Sequence, residues 1–306
     1  MLTKLIRKYS RFWQLYVFMI VPVSYIILFK YMPMVGVQIA FKRYNFNGGI
    51  WNSPWIGFDN FTKFVSNYMF SRVFVNTFRI SIMELLISFP FPILFALLLN
   101  SVFHLRLKKA IQTITYMPHF ISVVVLVGMV LQVFNSNVGF YGVIYRQLTG
   151  TRPPDIFASP NSFLALFIGS GIWQGFGWGS IIYMAALTHV NPELYEAAQI
   201  DGASRWKRII HIEIPALIPV ITILLILRCG SLLSVGFEKI YLMQNSLNLR
   251  TSEVISTYVY KTGLGSSGVP DYSYATAIGL FNSVINLVII STVNFIADKI
   301  SETSLW

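Results

Sequence analysis

The stretch ELYEAAQIDGASRWKRIIHIEIP, residues Glu193–Pro215, is a polar island between two long apolar runs. It holds three basic and four acidic side chains, and this much charge excludes it from the hydrocarbon core of a membrane. Asn191 is a favourable N-cap and Pro192 suits the first helical position, so a short helix is predicted to begin there. Asp201-Gly202 is expected to end that helix, with Gly202 at positive φ.

A second short helix is predicted after this turn. Ser204 can cap it, and it carries the basic residues Arg205, Lys207 and Arg208. We expect it to end before Pro215, because the residue ahead of a proline disfavours helical backbone. A helix–turn–helix of this size buries little apolar surface by itself, so the pattern predicts an element that docks onto another protein. The alternative interpretation is an ordinary basic loop between membrane helices.

The composition of the chain indicates a membrane protein. Of the 306 residues, 55% are hydrophobic and 11% charged, against ~25% charged in soluble domains. The net charge of +11 would suggest a nucleic-acid partner for a soluble protein, but most of it lies beside apolar runs, so no nucleic acid is expected. The single cysteine, Cys229, excludes an internal disulfide. The four histidines lack metal-ligand spacing, and no Ser/His/Asp or paired-carboxylate cluster is present, so neither a metal site nor a catalytic site is predicted.

Six apolar runs are long enough to cross a bilayer, which takes ~20 residues. They are Phe12–Met34, Phe74–Ser101, Ala110–Phe134, Phe163–Val190, Pro215–Gly236 and Tyr272–Ala297. The predicted fold class is therefore all-α, a polytopic membrane protein with six transmembrane helices. We interpret the first run, which follows Lys4, Arg7, Lys8 and Arg11, as a retained helix, because no small-residue signal-peptide cleavage site follows it.

The distribution of lysine and arginine predicts the orientation. With the N-terminus inside, the cytoplasmic segments hold 11 of these residues in 55 positions, and the outer segments hold 10 in 105. The excess predicts a cytoplasmic N-terminus and places the polar island in the cytoplasm. The outer loops are rich in aromatic residues, which can anchor the chain at the membrane interface or meet another protein.

The island resembles the EAA loop of permease subunits in type I ABC importers. The resemblance lies in the order Glu196-Ala197-Ala198, Gly202, Ile212, Ile214, Pro215, with nine residues between Gly202 and Ile212. Nearly the whole chain is similar to sugar-importing permeases of the branch that handles complex oligosaccharides and polysaccharides. The segments that carry this second likeness include Lys30–Met34, Trp55–Phe61, Val235–Glu238, Thr257–Tyr260 and Tyr274–Phe281.

The resemblance implies the permease fold of type I importers, in three parts. These are residues 1–73 (cytoplasmic tail, first helix and outer loop), 74–297 (a core of five helices with the coupling loop 191–214) and 298–306 (cytoplasmic tail). It also implies a second, probably different, permease subunit, two cytoplasmic ABC ATPase subunits and an extracellular sugar-binding lipoprotein, with membrane lipid around the helices. The chain has no G-x-x-x-x-G-K-[ST] motif. It is therefore expected to be no enzyme and to bind no cofactor, with ATP and Mg²⁺ on the partner ATPase.

In this family the loop forms a coupling helix that docks into a cleft on the ATPase. The candidate coupling residues are Glu193, Tyr195, Glu196, Ala197, Ala198, Asp201, Gly202, Ala203 and Arg205.

Sugars are bound by aromatic faces and by amide, hydroxyl or charged groups, and residues of these types recur in the predicted membrane helices. The candidate substrate-binding residues are Trp173, Gln174, Gly175, Trp178, Arg228, Ser231, Asn282 and Glu84. Two other interpretations remain open. Glu84 can pair with Arg79 or Arg228 to fix the bundle, and the glycines around Trp173 can serve close helix packing alone.

The predicted function is that of the permease subunit of an ATP-driven importer for oligosaccharides delivered by an extracellular binding protein. A permease of the same fold for an amino acid or peptide remains an alternative. A stand-alone secondary transporter is less favoured, because it has no need of the polar island and no inverted repeat is visible.

Overall fold

The computed structural model describes residues 12–265 and 268–301. Within these ranges the regular structure is helical, with two isolated bridges and no extended strand, and the predicted all-α class is confirmed. The basic segment from Lys4 to Arg11, the pair Ser266-Ser267 and residues 302–306 lie outside the described residues.

The helices differ widely in length. In chain order they are α1 Trp13–Ile26, α2 Gly49–Asn52, α3 Asp59–Ser66, α4 Tyr68–Ser88, α5 Pro90–Asn100, α6 Leu105–Tyr116, α7 Val123–Val133, α8 Phe140–Thr149, α9 Pro160–Leu187, α10 Pro192–Ile200, α11 Arg205–Arg208, α12 Ile214–Gly230, α13 Phe237–Met243, α14 Leu249–Ser252, α15 Ile255–Gly263 and α16 Tyr272–Ser301.

Four continuous helical stretches are long and apolar enough to cross a membrane: Trp13–Phe41, Tyr68–Asn100, Arg205–Gly230 and Tyr272–Lys299. A fifth candidate consists of two segments joined at a bend, Leu105–Phe120 and Val123–Val133. Helix α9, which covers most of the predicted fourth span, has 28 residues, about 42 Å at 1.5 Å per residue. The count of six spans and the cytoplasmic N-terminus stay predictions.

The third predicted span is not one unbroken helix over Ala110–Phe134. Its two segments are bent by 99°, and the chain leaves the helical conformation at Ile121, where φ is −75° and ψ is 129°. Pro118 lacks the N–H that would continue the hydrogen-bond ladder. The Ser122 hydroxyl then accepts from the Val125 N–H at 3.4 Å and caps a new helix.

The second helix of the polar island does not end before Pro215, as the sequence analysis expected. Helix α11 continues through a π-helical turn, Ile209–Glu213, into α12. Proline suits the first turn of a helix because its missing N–H has no partner there in any case. Pro215 is the second residue of α12, which follows the π-helical turn directly. The fifth predicted span also ends earlier than expected, at Gly230 rather than Gly236.

The chain divides into two compact units, and the first comprises the residues up to Ser66 together with Val259–Phe281. In this unit the Tyr44 N–H donates to the Ser273 hydroxyl at 2.8 Å, and Lys63 pairs with Asp271 at 3.1 Å. These two contacts join the part of the unit before Ser66 to the part that begins at Val259. The predicted parts 1–73, 74–297 and 298–306 follow membrane topology instead and stay a prediction.

The second unit comprises Asn67–Tyr258 and the chain from Asn282 onward. It has two apolar cores, one around Leu126, Phe167 and Ile240, and the other around Leu99 and Leu217.

Close helix approach positions α9 in this unit. A Cβ on Gly177 would lie 2.2 Å from the carbonyl oxygen of Thr115 in α6. Helix α6 can therefore reach α9 at this point only because residue 177 is glycine.

Candidate functional site

The polar island folds into two short helices with well-formed ends. The Asn191 side chain accepts from the Glu193 N–H at 3.0 Å, as an N-cap does. At the other end of α10, Gly202 has φ +71°, and the Ala203 N–H donates to the Ala198 carbonyl at 2.8 Å. This is a Schellman motif, which needs a left-handed residue at position 202. Ser204 caps α11 through the Lys207 N–H. The predicted caps and the predicted positive φ are confirmed.

Most candidate coupling residues of the island are exposed. The exposed members are Glu193, Glu196, Ala197, Asp201, Gly202 and Arg205, while Tyr195, Ala198 and Ala203 are half-buried. Arg205 also places its guanidinium 4.7 Å from the centre of the Phe103 ring. The charged face of α10 is therefore available to a partner.

Three large apolar side chains of α10 and α11 that were not among the predicted coupling residues are also exposed. Leu194 is 52% exposed, Ile200 86% and Trp206 69%. Exposed large apolar side chains on an otherwise polar element are typical of a protein-binding surface. Their signal was available in the sequence, since each is a bulky apolar residue among the polar and charged ones of α10 and α11.

Tyr195 differs from the other coupling candidates because its hydroxyl is buried. The hydroxyl lies beside the Glu213 carboxylate and the Asn100 amide without full hydrogen-bond geometry to either. Burial and the neighbouring Glu213 carboxylate both raise the pKa of Tyr195 above its ordinary value. Asn100 in turn donates to Glu213 Oε1 at 3.0 Å. Neither Asn100 nor Glu213 is among the coupling residues predicted from the sequence.

The substrate candidates fall into two groups of contacts. In the first, Arg228 on α12 donates to Glu84 Oε1 on α4 at 2.7 Å, and the two side chains are 52% and 25% exposed. The Ser231 hydroxyl donates to the Arg228 carbonyl at 3.3 Å. The pairing of Glu84 with an arginine, one of the interpretations left open, is present.

The second group lies where α9 meets the bend between α6 and α7. The Trp178 ring stacks on the His119 ring at 4.5 Å, with 4° between their planes, and packs edge-on against Phe120. Gln174 donates to the Ile121 carbonyl at 2.8 Å, which satisfies a backbone oxygen exposed by the bend. Trp178 remains 42% exposed, so the rest of the described chain leaves part of its ring uncovered.

The remaining candidates stand apart from these groups. Trp173 lines an apolar groove of about 360 Å³ between α7 and α9. A Cβ on Gly175 would have no neighbour within 4 Å, which means open space. The buried side-chain oxygen of Asn282 has no hydrogen-bond donor among the described residues.

Lys239 is a buried cation that sequence reasoning passed over. It is 9% exposed, donates from Nζ to the Phe167 carbonyl at 2.7 Å and lies 4.7 Å from the centre of the Phe167 ring. A Cβ on Gly171 would come within 3.1 Å of Nζ. Gly171 therefore leaves room for this ammonium group, a role for a small residue that helix packing alone does not require.

Comparison with known proteins identifies the class. The model of the family described as "Binding-protein-dependent transport system inner membrane component" matches residues 88–302. The chain therefore belongs to this family. It is a multi-pass membrane permease subunit of an ABC importer.

Individual relatives agree with this assignment. Protein LplB of Bacillus subtilis (strain 168) is 41% identical, over 95% of this chain and 91% of its own length. The polygalacturonan/rhamnogalacturonan transport system permease protein YteP of the same organism is 38% identical, over 95% of this chain and 90% of its own.

Solved structures match over almost the full length. A chain of a bacterial ABC transporter involved in the import of the acidic polysaccharide alginate has a TM-score of 0.88 and 38% identity, and the match covers 97% of this chain and 99% of that one. The bacterial alginate ABC transporter in complex with an alginate pentasaccharide-bound periplasmic protein gives the same TM-score and identity. The predicted type I ABC importer permease fold is confirmed.

Proposed function

We propose that this chain forms one half of a membrane passage for oligosaccharides. A second permease subunit forms the other half, an extracellular sugar-binding lipoprotein delivers the sugar, and two cytoplasmic ATPase subunits bind ATP and Mg²⁺. The exposed surface of the polar island is the observation that supports docking of the ATPase subunits on this chain. A rigidly capped helix pair that presents Leu194, Ile200 and Trp206 among charges has the composition of a docking surface.

The oligosaccharide part is supported by the relatives and by the chemistry of the membrane helices. Relatives named for polygalacturonan, rhamnogalacturonan and alginate handle sugars with carboxylate groups. In this chain the half-exposed Arg228 keeps N–H donors beyond the one that meets Glu84. Such donors suit sugar hydroxyls or uronate carboxylates. The free part of the Trp178 ring suits the apolar face of a pyranose ring.

In this proposal the ATPases and the sugar act on different parts of the chain. Closure of the ATPases on ATP moves the coupling helix α10. That movement opens the passage toward the outer side, where the binding protein releases the sugar. Hydrolysis reverses the movement, so this chain contributes positioning and a path rather than chemistry.

Reconstitution of the complete complex in proteoliposomes tests this function. The complex is assembled from this chain with a partner permease, an ATPase and a sugar-binding protein from the same organism. Uptake is then compared for labelled oligogalacturonides, alginate oligosaccharides, neutral arabino-oligosaccharides, a tripeptide and single amino acids. We expect ATP-dependent uptake of at least one oligosaccharide and none of the peptide or amino acids. Uptake confined to the peptide or an amino acid would contradict the proposal.

A further inference from the structure

A buried polar cluster lies directly beneath the coupling helix. Glu213, in the π-helical turn before α12, is 4% exposed, and the Asn100 amide at the end of α5 donates to its Oε1 at 3.0 Å. The Tyr195 hydroxyl of α10 is buried beside both groups. Helix α5, helix α10 and the π-helical turn before α12 therefore meet at one carboxylate.

The surroundings of Glu213 supply partial compensation for its burial. Arg208 from the preceding turn and Lys108 from α6 act on the carboxylate as positive charges. Arg205 and Arg208 also line a cavity of about 290 Å³ that Glu213 and Tyr195 share. The second carboxylate oxygen of Glu213, Oε2, has no hydrogen-bond partner among the described residues.

A buried and incompletely paired carboxylate weakens the fold. Its presence at this position therefore suggests a role other than stabilising the fold. An apolar side chain would pack the same turn without that loss. Tyr195, counted among the docking candidates from sequence, directs its hydroxyl inward to this carboxylate rather than toward a partner.

We propose that Glu213 is the positioning residue that links the coupling helix to the membrane helices. Tyr195 holds α10 against Glu213, and Asn100 holds Glu213 against α5, so a displacement of α10 moves α5 and α12 together. The inference rests on the proposed function in one respect, that an ATPase displaces α10. It adds which residues transmit that displacement.

A merely structural role for the cluster predicts a different result from a transmitting role. If the three groups only stabilise the fold, their loss lowers the amount of complex and leaves each remaining complex as efficient as the wild type. If they transmit movement, the complex assembles and hydrolyses ATP, but more ATP is consumed for each sugar imported. The ratio of ATP hydrolysed to sugar imported therefore separates the two.

Tyr195→Phe is the sharpest variant, because it removes one oxygen and keeps the ring. In proteoliposomes holding the full complex, we expect the ATP-to-sugar ratio to rise about two- to tenfold, the order of magnitude expected when one buried polar contact is lost. Glu213→Gln should raise it similarly, and the double variant should add little to either, since both act through one contact. The matched controls are Tyr145→Phe in α8 and the exposed Glu238→Gln, neither of which belongs to the cluster, and both should keep the wild-type ratio.

A second measurement needs neither ATPase nor sugar. In hydrogen–deuterium exchange on the chain in lipid nanodiscs, Tyr195→Phe should accelerate exchange across Pro192–Ile200 about two- to tenfold, with Tyr145→Phe unchanged. A wild-type ratio together with wild-type exchange in Tyr195→Phe would overturn the inference. A wild-type complex that imports no oligosaccharide would count against the proposed function instead, and the exchange measurement would still decide whether Tyr195 anchors the helix.

Discussion

At the scale of single residues, the ion pair between Glu84 and Arg228 carries the most information about the substrate. Ionisable groups inside a membrane are costly unless paired or used. The pair at 2.7 Å accounts for Glu84. It accounts for only part of Arg228, whose side chain is 52% exposed and whose guanidinium has five N–H donors. We therefore propose that Glu84 holds the arginine and that Arg228 meets the ligand.

Exchange of the two charges tests this assignment. The double variant Glu84→Arg, Arg228→Glu should restore the amount of assembled complex that either single change reduces, because the pair can form in reverse. Transport per complex should stay at least about tenfold below the wild type, since a hydrogen bond from a charged group to the sugar is lost. Uptake per assembled complex is the measurement, and full transport by the exchanged pair would mean that the ion pair is structural only.

Trp178 allows an independent test at the aromatic end of the proposed path. Trp178→Ala should lower oligosaccharide uptake and the sugar-dependent increase in ATPase rate, because the free part of the ring is lost as a stacking surface. The basal ATPase rate of the complex should persist, since Trp178 precedes α10 by a stretch of mostly helical chain that spans about 20 Å at ~1.5 Å per residue. Trp178→Phe, which keeps a ring, should retain more uptake than alanine. Equal uptake by wild type and Trp178→Ala would remove this residue from the path.

Local rules predicted some of these residues and long-range packing fixed the rest. The caps at Asn191 and Ser204 and the positive φ of Gly202 depend on neighbours within three residues, so the sequence was sufficient for them. The stack of Trp178 on His119 depends on a bend in another helix, and the contact of Glu213 with Asn100 joins residues 113 positions apart. A single sequence contains no signal that shows which distant residues are in contact.

At the scale of helices, the approach of α6 to α9 fixes the geometry around the second group of substrate candidates. The contact is closed at Gly177, where any side chain would collide with the Thr115 backbone. Pro118 then ends α6, and Gln174 and Trp178 occupy the space beside the bend. The bend itself was not predictable, because membrane helices often tolerate proline without breaking.

Substitution of two glycines in the same helix tests this packing. Gly177→Ala should destabilise the chain by about 1–3 kcal/mol, the usual range for overpacking, because its Cβ would lie 2.2 Å from the Thr115 oxygen. Gly169→Ala is the matched control, since its Cβ would meet nothing within 4 Å. Thermal denaturation in detergent measures both. Equal melting temperatures for the two variants would show that α6 and α9 do not meet this closely.

At the scale of the whole molecule, the sequence predicted the class and left the details of the spans open. Hydropathy and length found helices in all six places, and four continuous stretches and one bent pair meet the criteria for crossing a membrane. Helix α9 is long enough to cross a membrane, but its glycines lower its mean hydropathy. The end of the fifth span, at Gly230, and the break in the third span after Pro118 were not predicted. Both depend on hydrogen bonds in turns, which a hydropathy profile does not register.

The chain by itself should neither hydrolyse ATP nor move sugar. It lacks a phosphate-binding motif, and in the proposed complex it forms only half of the passage. Liposomes that contain this chain alone, supplied with ATP and oligosaccharide on either side, provide the measurement. Robust uptake would contradict the importer subunit and favour a secondary transporter.

The central claim is that the polar island couples sugar transport to an ATPase, and Gly202→Val tests it most directly. A β-branched residue at φ +71° is strained by about 1–2 kcal/mol or more, so the Schellman turn between α10 and α11 should be lost. Gly150→Val is the matched control, because Gly150 also ends a helix at positive φ, +68°, outside the island. In the reconstituted complex we predict that Gly202→Val abolishes sugar-stimulated ATP hydrolysis at normal expression, while Gly150→Val retains it. Full stimulated hydrolysis in Gly202→Val would contradict the account.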